Sequence, residues 1–507
     1  MKKVTNVFII SAVITVIFII WGTFLPEGMD KATSSIQGFI VDYFGWFYLI
    51  SASFFVIVAL FLIFSRYGKI KLGKEDDQPE HSTISWFAML FSAGMGVGLV
   101  FWGVAEPISH FYTPAQAEPE TMLAAAESLT YTFLHWGLHP WAIYSIVALS
   151  LAYFTFRKGK PQLVSETLRP VIGKRADGGL GTTVNILAVI ATIFGVATSL
   201  GLGAAQISGG LSSMANITNN FSTQLTIIIV VTLCFMLSAI TGINRGIKYL
   251  SNINIVLAVL LMLFILFMGP TSFILEALTS SVGMYIQNFA DMSLNSLPFQ
   301  QSGWSKGWTI FYWAWWIAWS PFVGTFIARI SKGRTIREFI AGVMLVPTIF
   351  GIVWFSVFGG TALHMEIFEN MNIQNVLTEK GQEVALFTVI GQFPFSTFVS
   401  IIAIALIAIF FITSADSATF VLSMLTSDGN LNPANSTKVI WGIIQSATAA
   451  VLLWFGGLAA LQTASIIAAF PFVFVMICMF VSLMKSLKAD VKAQQSSGQD
   501  IQKPRVM

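Results

Sequence analysis

Charge is scarce in this sequence: of 507 residues only 10% are Asp, Glu, Lys or Arg, against 55% that are hydrophobic. An ordinary soluble globule carries about 25% charged residues, so this chain cannot cover itself for water and is read as embedded in lipid. Cysteine is nearly absent. Cys234 and Cys478 both fall inside apolar runs, which rules against a disulfide framework or a cysteine metal cluster and leaves them as packing residues. No glycine-rich turn ends in Gly-Lys-Ser/Thr, so ATP is not the energy source expected and a gradient is. Neither a nucleophile–base pair nor a metal cluster is visible, which argues against an enzyme, and no cofactor is expected.

What is present is a series of apolar runs close to the roughly 20 residues needed to cross a bilayer. They cover 6–25, 44–65, 84–104, 128–156, 185–212, 224–242, 252–271, 308–330, 338–361, 398–426, 437–457 and 461–484, and predict an all-α membrane protein of twelve spans. The first run reads as a span rather than a cleaved leader, since no small-x-small site precedes the next one. With the N-terminus inside, the 27 basic residues all fall on inner segments except Lys31, Lys306 and Lys380. That asymmetry is the positive-inside rule, so the net charge of +3 is a topological signal rather than a nucleic-acid footprint. The chain divides as 1–83 with two spans, 84–271 with five, an amphipathic segment 272–307 at the outer interface, 308–484 with five, and a basic tail 485–507 that could meet anionic lipid.

Spans 3–7 and 8–12 enter from opposite sides, because five is odd, and each set opens with a helix whose sequence suggests a break. That pattern is expected of inverted repeats with a site at mid-membrane. Span 3 carries Gly94-Met95-Gly96-Val97-Gly98. Small residues can serve close helix contact, but glycines at every second position cannot share one helix face; they weaken the helix and free its amides and carbonyls. Span 8 carries Trp313-Ala314-Trp315-Trp316-Ile317-Ala318-Trp319-Ser320-Pro321-Phe322. Tryptophan often marks the interfacial belt, yet these rings sit mid-span, and Trp315 and Trp316 share a side with Trp319. In span 4, Trp136 and Tyr144 are a little over two turns apart and can face the same cavity.

Rings converging with no carboxylate nearby suit a quaternary ammonium, which has no N–H to donate and is held by ring faces at roughly 2 kcal/mol each when desolvated. His135 and His139 are read as hydrogen-bonded packing residues. In span 10, Thr413 and Ser414 offer hydroxyls that serve either helix packing or a hard cation, and Asp416, the clearest acid within a span, is a candidate for an inner gate or a structural role.

Taken together, the Ala93–Gly98 run, the Leu134–Tyr144 run, the tryptophan box with Ala328–Arg334 after it, and Thr413–Ser417 resemble the betaine/carnitine/choline transporter family over nearly the whole chain, most of all its glycine betaine carriers. The resemblance implies a LeuT-like 5+5 inverted repeat behind two peripheral helices, in a trimer. It implies a cage of Trp136, Tyr144, Trp315, Trp316 and Trp319 around a trimethylammonium group, with the substrate carboxylate facing Gly94, Met95, Gly96 and Gly98 and Ser199. One sodium would be held by Thr413 and Ser414 with carbonyls of Ser92, Met95 and Phe410. A second would use Thr192 and Phe322, but the partner threonine position holds Val196, which puts that site in doubt. Gly98, where choline carriers tend to have aspartate, favours a zwitterion such as betaine, and osmoprotective sodium symport is the function implied. A sodium-independent exchanger, or a sodium-coupled amino-acid carrier of the same fold, is the alternative.

Overall fold

An apolar run in lipid has no water to bond its backbone, so each closes its N–H and C=O groups within its own helix. The structure, a computed structural model, describes residues 4–94, 96–241, 244–300 and 303–501, with the side chains of 91–94, 241, 244–248, 494 and 496–501 outside that description. Among the described residues the architecture is all helical, and the β pairing is an isolated bridge between Lys71 and Thr335. The main helices are α1 (Asn6–Phe24), α2 (Pro26–Phe64), α3 (Thr83–Gly94), α4 (Val97–Tyr112), α5 (Met122–Trp136), α6 (Leu138–Ala152) and α7 (Gly179–Ala215). They continue as α8 (Phe221–Thr241), α9 (Asn244–Met268), α10 (Thr271–Leu294), α11 (Thr309–Arg329), α12 (Ile336–Phe368), α13 (Ser396–Leu425) and α14 (Asn435–Ile501).

Nine segments among the described residues are long and apolar enough to cross a membrane: α1, α2, the rod from α5 through α6 to Arg157, α7, α8, α9, α12, α13 and α14. The long α14 is two limbs joined at Gly457, whose φ of 55° and ψ of −136° are not helical, and the limbs match expected spans 11 and 12. Expected span 3 is divided between α3 and α4, and expected span 8 is the tryptophan-rich α11. The expected basic tail, as far as the described residue 501, continues the second limb of α14 as helix. The segment expected at the outer interface forms α10.

Burial separates a centre from a periphery. The apolar windows of α5–α6 and α7 are 94% and 83% buried, against 22% for α1 and 28% for each of α8 and α9. The outward faces carry Ile17, Leu233, Leu237, Phe267, Ile349 and Phe398 in the open, as a surface solvated by hydrocarbon requires. Cys234 and Cys478 also lie on this exposed surface as free thiols, so the expectation that they are packing residues is corrected; apolar neighbours in sequence do not tell the lipid face from the core face. Of the two helices expected at the periphery, α1 is peripheral, whereas α2 turns one face inward, where Tyr48 donates 2.7 Å to Ile466 O.

Two proline-containing segments behave differently. The rod α5–α6 turns at Gly137, where a Cβ would stand 2.4 Å from Phe133 O, and Pro140 offers no N–H to the Trp136 carbonyl. By contrast, α11 runs unbroken through Pro321, correcting the break expected there. The carbonyl that Pro321 cannot serve belongs to Ile317, and Ser320 Oγ donates to it at 2.7 Å, so the ladder is repaired one residue earlier.

The connections expected on one side meet one another. Leu72 N donates to Arg334 O and Gly333 N to Leu72 O, both at 2.8 Å, and Arg157 bonds Glu75 at 2.8 Å and Asp490 at 2.7 Å. Nearby, Arg169 pairs with Glu166 and Asp177, and its guanidinium holds the Asp177 carboxyl below the usual carboxylate range. At the other end Lys306 reaches Asp42 at 2.5 Å, Asn219 donates to Glu383 at 2.7 Å, and Trp304 Nε1 donates to Thr113 O at 2.8 Å.

Candidate functional site

The rings singled out in the sequence converge where α5, α6 and α11 meet the start of α4. Trp315 and Trp316 stack at 4.6 Å between centroids, with 16° between planes. Trp136 stands edge-on to Trp316 at 4.9 Å and to Trp315 at 6.2 Å. Tyr144, across the Gly137 turn, lies 6.3 Å from both Trp316 and Trp319. All five are buried. Their polar edges are anchored away from one another: Trp316 Nε1 donates to His135 O at 3.0 Å and Trp315 Nε1 to Gly195 O at 3.3 Å. Tyr144 Oη, also buried, has no hydrogen-bond partner among the described residues, which places an unpaired polar atom beside the rings.

Glycine lets the backbone reach this box. A Cβ at Gly98 would stand 2.5 Å from Trp315 Cη2 and 3.0 Å from Trp136 Cη2; one at Gly96 would stand 3.5 Å from Trp319 Cη2. Helix α3 ends at Gly94 and α4 begins at Val97, with Gly96 extended at φ −133° and ψ −163°. The expected interruption of span 3 is therefore present; at the start of α4 Leu99 N donates to Gly96 O at 3.1 Å, and the amides of Val97 and Gly98 ahead of it have no preceding helical turn to accept from them next to the rings. Of the predicted residues here, Met95 lies outside the described residues, as does the side chain of Ser92, and Gly94 is described only by its helical backbone. Ser199, on α7 one turn after Gly195, points its hydroxyl toward Gly195 O at 3.5 Å, near the Trp315 anchor.

Of the predicted ion ligands, Ser414 Oγ lies 3.9 Å from the Cβ position of Gly96, which brings α13 to the gap between α3 and α4. Thr413 Oγ1 bonds Ile409 O at 2.8 Å and Phe410 O at 3.3 Å. Thr192 gives its hydroxyl to Ala188 O at 2.8 Å, Val196 is buried beside it on α7, and Phe322 packs against Trp319 at 5.6 Å. Asp416 is buried against α8, where it accepts from Ser238 Oγ at 3.1 Å.

One expectation is overturned outright. The box was expected to lie far from any carboxylate, but Glu106, fully buried on α4, sits directly against it. Its Oε2 accepts from Trp136 Nε1 at 2.8 Å and Tyr312 OH at 2.5 Å, and its Oε1 faces His135 Nδ1 at 2.7 Å and His110 Nε2 at 3.2 Å. The sequence reading ends span 3 at residue 104 and so leaves Glu106 outside it, whereas α4 continues to Tyr112. The i, i+4 spacing of Glu106 to His110 on a continuing helix was the available signal. Glu106, His110 and His135 present atoms within 4.8 Å of one another, a spacing a transition metal could bridge, but the separations are hydrogen-bond lengths and four groups already converge on the carboxylate. His135 is the hydrogen-bonded packing residue expected; His139 packs without hydrogen bonds, stacking on Trp313 at 4.6 Å with neither ring nitrogen bonded among the described residues.

Residues 6–492 match the profile of the betaine/carnitine/choline family transporters. The chain is 53% identical over 508 residues to the glycine betaine transporter OpuD of Bacillus subtilis, covering 100% of this chain and 98% of that one. It is 45% identical to a probable glycine betaine transporter of Desulfitobacterium hafniense and 44% identical to an ectoine/hydroxyectoine transporter of Virgibacillus pantothenticus, each over 96% of this chain and 98% of the relative. Length, identity and profile agree with the box and the interrupted helix: the chain is a multi-pass membrane transporter, not an enzyme, and belongs to the betaine/carnitine/choline transporter family.

Proposed function

We propose that this protein imports glycine betaine by sodium symport, in the service of osmoprotection. The observation that carries the substrate is the box itself: five buried rings of Trp136, Tyr144, Trp315, Trp316 and Trp319, into which Gly98 admits backbone and no side chain. A trimethylammonium group fits such faces because each contributes cation–π attraction without asking for a hydrogen bond. The carboxylate end of the zwitterion would take the first-turn amides of α4 and the Tyr144 hydroxyl. Two of the relatives above carry glycine betaine in their names, in support of the same reading.

For the ion, the proximity of Ser414 to the gap between α3 and α4 supports a site shared by Thr413, Ser414, the carbonyl of Phe410 on the same α13, and the carbonyls of Ser92 and Met95. Val196, buried where a second hydroxyl would be needed beside Thr192, favours a single sodium. Spans 3–7 and 8–12 would then act as two inverted repeats around the box, in a trimer, with both termini in the cytoplasm where the basic segments lie.

Uptake of labelled glycine betaine into proteoliposomes, with an inward sodium gradient and with potassium in its place, tests the reading. Sodium-dependent accumulation is expected. Equal accumulation in potassium would leave the box and remove the ion site, and no uptake would remove betaine as substrate. Ectoine is the informative competitor, since it too is a zwitterion but pairs its carboxylate with an amidinium that has N–H groups to donate.

A further inference from the structure

We propose that Glu106 is a positioning and specificity-determining residue for the aromatic box: an ionised carboxylate that fixes Trp136 by its indole N–H and enriches that ring's face for a cation. The inference rests on the box being the quaternary-ammonium site argued above.

The argument begins with donors. An indole Nε1 can only donate, so the oxygen facing Trp136 must accept, and the same Oε2 takes the Tyr312 hydroxyl. On Oε1, His135 Nδ1 and His110 Nε2 occupy the remaining positions. His135 has Thr309 Oγ1 at 3.0 Å from its Nε2, so a proton on Nδ1 leaves Nε2 to accept from that hydroxyl. With His135 assigned its proton on Nδ1 and His110 on Nε2, every bond in the cluster has one donor and one acceptor. The sum is an ionised Glu106 surrounded by neutral groups, a single negative charge against the box.

The consequence for Trp136 is twofold. A charge-assisted bond is about twice as strong as a neutral one, so the ring is held in one orientation edge-on to Trp315 and Trp316. An anion at the N–H edge also polarises the indole, adding electron density to the face that a cation meets. Glutamine has the shape of glutamate but would turn an N–H₂ toward donors, so Glu106→Gln loses the charge and misplaces one pair of bonds at once.

The test is the concentration of glycine betaine that gives half-maximal uptake into proteoliposomes, measured for wild type, Glu106→Gln, Trp136→Phe and the double variant. Glu106→Gln is expected to raise it about tenfold with little change in maximal rate. In the Trp136→Phe background, where the ring has no N–H, the same substitution should have little further effect. A purely structural Glu106 would lower the maximal rate and act equally in both backgrounds, and either an equal effect or an unchanged half-saturation overturns the proposal. Should Glu106→Gln not reach the membrane, Glu106→Asp, which keeps the charge but withdraws it by one methylene, is measured instead; wild-type affinity there overturns it too. Wild-type protein that takes up no betaine would sink the substrate reading and this inference together, whereas a normal wild type with a silent Glu106 sinks this one alone.

Discussion

Gly98→Ala puts a methyl group directly against the rings of the box. The added methyl would stand 2.5 Å from Trp315 Cη2, 3.0 Å from Trp136 Cη2 and 3.3 Å from Trp315 Cζ3. Carbon atoms settle at about 3.5–4.0 Å, so the Trp315 ring must withdraw by roughly 1 Å. It has nowhere easy to go. Its N–H is bonded to Gly195 O, its face is stacked on Trp316 at 4.6 Å and Phe311 at 5.6 Å, and Gly195 itself lies so near α11 that a Cβ there would be 2.9 Å from the Ala318 carbonyl carbon. Overpacking a rigid interior costs about 1–3 kcal/mol. If the strain falls on the ligand-bound state, half-saturation for glycine betaine rises by about 5- to 150-fold. The assay is initial uptake against betaine concentration in proteoliposomes, normalised to protein in the membrane. Unchanged half-saturation with normal expression would refute the placement of Gly98 against the box.

Trp319→Leu should abolish high-affinity uptake while the protein still reaches the membrane; an unchanged apparent affinity in the same assay would remove Trp319 from the site. Thr413→Ala together with Ser414→Ala should raise the sodium concentration needed for half-maximal uptake, and an unaltered sodium curve would move the ion elsewhere. Asp490→Asn weakens bonds from Tyr153 at 2.9 Å and Arg157 at 2.7 Å and the ion pair with Lys158. Hydrogen bonds to charged groups are worth about 1.5–3 kcal/mol each, so the end of α14 should be cut faster in limited proteolysis; an equal rate would show that the cluster does not hold the helix end.

Much of this protein was legible as pattern. Apolar runs of bilayer length, basic residues confined to alternate connections, and aromatic residues spaced to share a helix face each follow from one local rule, and the helices, the meeting of the expected inner connections and the convergence of Trp136, Tyr144, Trp315, Trp316 and Trp319 agree with them. The misreadings share a cause. Pro321 was read as a break because proline lacks a donor, but Ser320 serves the vacant carbonyl. Cys234 and Cys478 are read as packing residues because their neighbours in sequence are apolar, and in lipid the outer face is apolar as well.

By itself the sequence determined which stretches could leave water and which aromatic side chains share a helix face, because these depend on composition and on distances along one helix. Only the tertiary structure decided that Gly98 is a wedge between Trp315 and Trp136, and that Glu106 stands behind the box with Trp136, Tyr312, His135 and His110 around it. Those partners come from three separate stretches of chain. A buried carboxylate is stable only where donors converge on it from several directions, and that convergence exists only once the helices have packed.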